Sequence, residues 1–230
     1  MNDIIAGSAS AGAVLCLLAY WIGTLIKKKF KWGFLNPLLI AIILVIAFLL
    51  AFRVDYDSFY SGAKYISWFL TPATVSLAIP LYQQLDRLKK NIKAILISIF
   101  VGSIASMGSI FALSVLFRLT HEQYVTFLPK SITTAIGMGL SEEMGGIAAI
   151  TVTTIIITGI FGNMVGEAFC KLLKITDDVA IGLAIGTSAH AIGTAKAMEI
   201  SEVAGAMSSL SIVTPGIITV IGANLFAMLY

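Results

Sequence analysis

Apolar residues in this chain fall in long uninterrupted runs, unlike the alternation of a strand or the narrow stripe of a soluble helix. Runs without Asp, Glu, Lys or Arg cover residues 4–26, 32–52, 65–85, 94–117, 144–166 and 203–230. About 20 apolar residues cross the hydrocarbon core as a helix, so each run predicts one span. A transmembrane barrel would show alternation over segments of about ten residues, and none is visible. Two stretches are shorter and flecked with charge: 126–140, which carries Lys130, and 179–195, which carries His190. The pattern predicts an all-α multi-pass membrane protein with six full spans and two short broken or re-entrant helical elements, forming a single transmembrane domain over 1–230.

Composition explains why lipid is required. Hydrophobic residues make up 58% of the chain and charged residues 12%, against roughly 25% charged in soluble domains. Too few polar side chains remain to coat a surface facing water. The first run is too long for the apolar core of a signal peptide and lacks a basic leader, so it is expected to stay as the first helix. Cys16 and Cys170 stand apart and give neither a metal motif nor a disulfide framework.

Charge then orients the spans. Lys27, Lys28, Lys29 and Lys31 follow the first run, and Arg87, Lys89, Lys90 and Lys93 follow the third. Both clusters fit the cytoplasmic side, which puts the N-terminus outside and makes 53–64, with Asp55 and Asp57, an outer loop. Lys171 and Lys174 fall inside only if 126–140 dips into the membrane and returns. Asp177 and Asp178 weaken that vote, so a full crossing stays open. The net charge of +3 lies beside apolar spans and does not point to nucleic acid.

Residues 132–145 can be laid on 192–205. At this offset of 60, Ile132, Thr134, Ala135, Ser141, Glu142 and Gly145 match Ile192, Thr194, Ala195, Ser201, Glu202 and Gly205. Each copy precedes a long apolar run. Paired, inverted, interrupted helices build the midplane site of many secondary transporters. The competing explanation is chance likeness between two segments of small residues, common wherever membrane helices pack.

Four places carry candidate chemistry. In 68–82, Pro72 and Pro80 each remove a donor and free the carbonyls of Trp68 and Ser76. Thr71, Thr74 and Ser76 could satisfy those carbonyls, or the kinked helix could line a path. In 127–134, Pro129 suits the first turn of a helix, and free N–H groups with Lys130, Ser131, Thr133 and Thr134 would hold an anion. Alternatively, Lys130 snorkels to the headgroups. His190 lies among small residues, where an ionisable group at membrane depth usually has a role: substrate binding, proton coupling, or only a hydrogen-bonded packing position. Lys196 is a candidate second cation. Glu142 or Glu143 could cap the following helix, and Glu143 could carry protons. Asn163, near Gly162 and Gly166, reads as a helix-crossing surface with a hydrogen bond across it. No nucleophile–base set, phosphate loop, cofactor motif or metal ligand set is visible, so neither an enzyme, a cofactor nor a metal is expected.

The segments Pro72-Ala-Thr-Val-Ser-Leu-Ala-Ile-Pro-Leu-Tyr82, Leu128-Pro-Lys-Ser-Ile-Thr-Thr134, Glu143-Met-Gly-Gly146 and Ser188-Ala-His-Ala-Ile-Gly-Thr-Ala-Lys-Ala-Met-Glu199, in this order, resemble the LrgB/CidB family of bacterial membrane proteins, the CidB branch more than the LrgB branch. The likeness covers nearly the whole chain. It implies an antiholin-like or holin-associated protein linked to murein hydrolase control and autolysis, working beside a small LrgA/CidA-type membrane partner in the bacterial cell membrane. Relatives such as the plastid glycolate/glycerate translocator imply movement of small organic acids. The resemblance carries family positions onto Pro72, Pro80, Pro129, Lys130, Ser131, Thr133, Gly145, Gly146, Ser188, His190 and Gly193. The expectation is a carrier or facilitator for pyruvate, lactate or glycolate, proton-coupled through His190 or Glu143. Thr74, Ser76, Lys130, Ser131, Thr133, Thr134, His190 and Lys196 would contact the substrate, and a homo-oligomer would be compatible with this. The alternative is a regulatory component that transports nothing itself.

Overall fold

The computed structural model describes residue 8 and residues 10–30 and 35–230; of Leu70 and Thr74 it describes the backbone alone. Every regular element among the described residues is a helix. The chain packs as two compact units, Met1–Ser76 and Leu77–Tyr230.

In the first unit, α1 (Ala11–Phe30) is followed by α2 (Pro37–Ala51), α3 (Tyr56–Ser67) and α4 (Leu70–Ser76). Asn36 opens α2: its Oδ1 accepts from the N–H of Leu38 at 2.7 Å and of Leu39 at 3.3 Å, ahead of Pro37 in the first turn, where a missing N–H costs nothing. The expected outer loop 53–64 is largely helix, because the Asp55 carboxylate accepts from the N–H groups of Asp57 and Ser58 and starts α3. Gly12 and Gly62 let α1 and α3 touch backbone to backbone.

The span expected over 65–85, kinked at Pro72 and Pro80, is broken further than a kink. It is cut into the end of α3, then α4, then α5 (Ala78–Gln83). The interruptions fall at 68–69 and 77, next to the carbonyls that Pro72 and Pro80 would strike. Ser76 Oγ donates to the Pro72 carbonyl at 2.7 Å, so its hydroxyl serves its own helix. The run 32–52 also yields a shorter helix than expected, the 15-residue α2, with residues 31–34 outside the described set.

In the second unit, α5 is followed by α6 (Leu85–Phe117), α7 (His121–Phe127), α8 (Thr134–Glu143), α9 (Ala148–Leu172), α10 (Asp178–Ile200) and α11 (Glu202–Ala227). The first turns of the 33-residue α6 hold Asp86, Arg87, Lys89, Lys90 and Lys93. The most buried helix is α11, packed along α10 and touching α5 and α6. The other side of α10 meets α9. One apolar cluster joins Ile95 and Ile99 of α6 to Leu183 of α10 and Met207 of α11. Another joins Met107 and Ile110 of α6 to Tyr124, Leu128, Ile132 and Leu140.

Four described helices, α1, α6, α9 and α11, are long and apolar enough to cross a membrane. Their outward side chains are apolar: Trp21, Ile97, Phe161 and Ile221 are each more than half exposed. A surface of that kind suits a bilayer as solvent.

Two helices are interrupted. Pro129 closes α7 instead of opening the next helix, which is a correction: lacking an N–H, it cannot donate to the Val125 carbonyl. The chain tightens into turns, Lys130 N–H to the Phe127 carbonyl and Ile132 N–H to the Pro129 carbonyl, and α8 starts only at Thr134. The N–H groups of Lys130 and Ile132 are therefore already bonded. Within α10, His190 has φ 43° and ψ −140° and divides it into 178–189 and 191–200. Each interrupted element leads into a long helix, α9 or α11.

Candidate functional site

A cavity of about 600 Å3 lies between α6, the turn after α7 and the first half of α10. Its polar end is built by Lys130, Ser131, Ser106, Thr187 and Ser188. Lys130 Nζ donates to Ser131 Oγ at 3.0 Å and to Ser106 Oγ at 3.4 Å. Ser106 Oγ donates to Ser131 Oγ at 3.0 Å. One ammonium N–H and the Ser131 hydroxyl proton are left to donate. Among the described residues, no carboxylate is ion-paired with Lys130.

Depth follows from α6. Ser106 stands in the apolar run 94–117, about 18 Å from its start and 17 Å from its end at helical rise. Lys130 therefore meets the middle of that run.

The turn carrying Lys130 is braced from behind by hydroxyls. Thr151 Oγ1 donates to the Thr126 carbonyl at 2.9 Å and lies 2.7 Å from Ser141 Oγ. Thr126 Oγ1 accepts from the Ile147 N–H at 2.8 Å. Gly146 sits against Ser141 Oγ, where a Cβ would collide. These bonds tie α7, α8 and α9 together, and Thr126, Ser141 and Thr151 are all buried.

The other expected site residues divide. Thr133 and Thr134 are half-buried at the start of α8 and do not line the cavity; Thr133 makes no capping bond. Ser76 belongs to the first unit. The Thr74 side chain lies outside the described residues. Glu142 and Glu143 are exposed at the end of α8, and α9 begins at Ala148 after Ile147, without a side-chain cap, so the expected capping by either glutamate is corrected.

His190 is 3% exposed and packs at the α9–α10 contact. Its Nε2 lies 3.0 Å from the Ile155 carbonyl. A carbonyl only accepts, so Nε2–H is the donor. The ring rests against Gly159, while Gly162 faces Ala189 and Gly166 faces Ile185. Asn163 Nδ2 donates to the Ile192 carbonyl at 2.8 Å across the same contact, as its glycine-flanked position predicted. Thr194 Oγ1 donates to the His190 carbonyl at 3.0 Å and meets Ser208 Oγ at 2.8 Å. Lys196 is paired: its Nζ lies 2.7 Å from Glu167 and 3.3 Å from Glu199, and Glu167 also holds Lys171 at 2.6 Å. It does not line the cavity.

Sequence reading missed Ser106, Gly102 and Thr187. Their spacing on α6 and α10 marks one helix face each, but hydroxyls and glycines are frequent on all these helices.

With this geometry in view, the chain can be compared with known proteins. The LrgB-like family profile matches residues 16–229. The chain belongs to the LrgB-like family. It is 40% identical over 216 residues to the antiholin-like protein LrgB of Bacillus cereus (strain B4264), covering 94% of each chain. The antiholin-like protein LrgB of Bacillus anthracis (strain CDC 684 / NRRL 3495) shows the same identity and coverage. These relatives carry the LrgB name, so the leaning toward the CidB branch gains nothing from them. No solved structure matches. Apolar helices and bacterial relatives together mark this LrgB-like chain as a bacterial membrane protein.

Proposed function

We propose that this LrgB-like chain is a membrane carrier or facilitator for small organic acid mono-anions of the pyruvate, lactate or glycolate class, and not an enzyme. The observation that carries this reading is the Lys130 ammonium in the cavity, at mid-depth of α6, bonded to two hydroxyls and to no carboxylate among the described residues. An unpaired charge at such depth is costly and tends to be kept for a role. One cation and the Ser131 hydroxyl suit one carboxylate.

Two interrupted helices, 60 residues apart in sequence at Lys130 and His190, support an inverted-repeat carrier whose site opens to one side at a time. The basic clusters favour an outside N-terminus. Coupling to protons through Glu143 is a further part of the proposal; His190, buried and bonded to the Ile155 carbonyl, is expected to take no part in it. The names of the relatives support association with a small LrgA/CidA-type membrane protein and a part in murein hydrolase control.

Uptake of labelled pyruvate and glycolate by liposomes containing the pure chain, with and without a pH gradient, tests this. Uptake lost in Lys130→Ala, with membrane insertion intact, is the expected result. Absence of uptake of any small acid, even with the LrgA/CidA-type protein present, rejects it. The antiholin-like names also favour a second reading, a regulatory component that moves no substrate. That reading predicts altered autolysis with unchanged acid flux.

A further inference from the structure

Within α10 the chain reverses at His190. A Cβ on Gly193 would stand 2.9 Å from the Ile185 carbonyl, although a continuous helix puts about 12 Å of rise between those residues. Ile185 also clusters with Ala197. Residues 178–189 and 191–200 are therefore the limbs of a helical hairpin with His190 at its tip. The turn after α7 is the tip of another, since a Cβ on Gly137 would stand 3.3 Å from the Pro129 carbonyl. The limb 178–189 runs in the direction of α6: Ile99 clusters with Leu183, and Gly102 then meets Thr187. The limb α7 runs against α6: Phe111 meets Tyr124, and Ser106 then meets Ser131. The two hairpins thus come from opposite ends of α6 and reach it at Gly102 and Ser106, about 6 Å apart at helical rise.

The donors at this meeting point can be counted. Lys130 keeps one N–H and Ser131 its hydroxyl proton, which suit the two oxygens of a carboxylate. Ser188 Oγ already donates to the Ala184 carbonyl at 2.7 Å. Thr187 differs. It lines the cavity, is 8% exposed and turns its methyl to α6 at Gly102. A helical threonine commonly bonds the carbonyl one turn back, yet among the described residues the Thr187 hydroxyl has no hydrogen-bond partner. A polar group so buried and unpaired is costly unless a ligand meets it.

We propose that Thr187 determines which short acids the site admits: its hydroxyl bonds the 2-oxygen of an acid whose carboxylate sits on Lys130 and Ser131. This rests on the carrier reading above and deepens it. In a 2-hydroxy or 2-oxo acid the 2-oxygen lies about 3 Å from the nearer carboxylate oxygen. With hydrogen bonds of about 2.8 Å at either end, a two- or three-carbon acid bridges the step between the hairpins. The hydroxyl donates to a keto oxygen or accepts from a hydroxyl group. Acetate and propionate leave it unpaired, and a site built to bond an oxygen disfavours the analogue without one.

The test uses the full chain in liposomes, taking up labelled lactate against unlabelled lactate, pyruvate or propionate. Lactate and pyruvate should each compete about five- to tenfold better than propionate. Thr187→Val, which keeps the side-chain shape, should bring that ratio close to one by weakening lactate and pyruvate while propionate stays as it was. Thr187→Ser should preserve the ratio, and Thr187→Ala should abolish it even if the valine variant does not insert. Equal competition by lactate and propionate in the unchanged protein overturns this inference and leaves the carrier reading standing. A ratio that survives in Thr187→Val or Thr187→Ala also overturns it, because another group then reads the 2-oxygen. Uptake of no acid at all removes the carrier reading and this one together.

Discussion

Lys130 and His190 occupy the two helix interruptions of the second unit, yet they face different surroundings: Lys130 Nζ enters the cavity beside Ser106 and Ser131, and His190 Nε2–H is spent on the Ile155 carbonyl. They are 60 residues apart, the same offset that aligns 132–145 with 192–205. One interruption holds a cation bonded to two hydroxyls at the cavity. The other is locked to its neighbouring helix.

Replacing Lys130 separates function from stability. An unpaired buried charge burdens the fold, and an apolar side chain of similar length can be neutral or stabilising. Lys130→Met should keep or raise the thermal midpoint in detergent while lowering acid uptake at least tenfold. A marked fall in the midpoint would mean that the ammonium has a structural partner.

His190→Ala removes a buried donor and leaves space beside Gly159. A loss of about 1–3 kcal/mol is expected from the unsatisfied group and lost packing, read by denaturant unfolding in mild detergent. Because the ring does not line the cavity, the pH profile of the remaining uptake should match that of the unchanged protein. A shifted profile would restore His190 as a proton carrier.

Thr151→Val keeps the side-chain shape but removes the hydroxyl shared by the Thr126 carbonyl and Ser141. We expect destabilisation of about 1–3 kcal/mol, with faster hydrogen exchange at the start of α9. An unchanged exchange pattern would argue that the three hydroxyls do not brace the Lys130 turn.

Lys196 gives a contrasting case. Its partners Glu167 and Glu199 are partly exposed, and pairs of that kind contribute little to stability. Lys196→Met should therefore retain most acid uptake. A tenfold loss would place this cation on the substrate's route after all.

Much of this was legible from sequence, within limits that have physical causes. Pro129 beside Lys130 and Ser131 announced an interrupted helix with a cation, because proline and lysine are rare at that depth for strong local reasons. Asn163 among glycines announced a close crossing. Ser106 was hidden, since its meaning comes from meeting Ser131 across 25 residues, and one serine among many on α6 carries no local mark. Lys196 looked free because Glu167 reaches it from another helix. The run 65–85 looked like one span because apolar content sets length, whereas Pro72 and Pro80 decide continuity. Glu143 looked like a cap because its helix ends sooner, and α9 begins later, than charge placement alone suggested.

The extent of α6 adds a mechanical consequence. Thirty-three residues measure about 50 Å as a helix, against a hydrocarbon core near 30 Å, so an arm of it bearing Arg87, Lys89, Lys90 and Lys93 overhangs among the headgroups. Anionic lipid attracts such an arm. Through the rigid rod, that pull reaches Ser106 and its grip on Lys130, so raising the anionic-lipid fraction of vesicles should alter acid flux, and an unresponsive flux would uncouple the two ends. A response of flux to the leaflet's charge would make this one helix a lever between the headgroups and the cavity's cation.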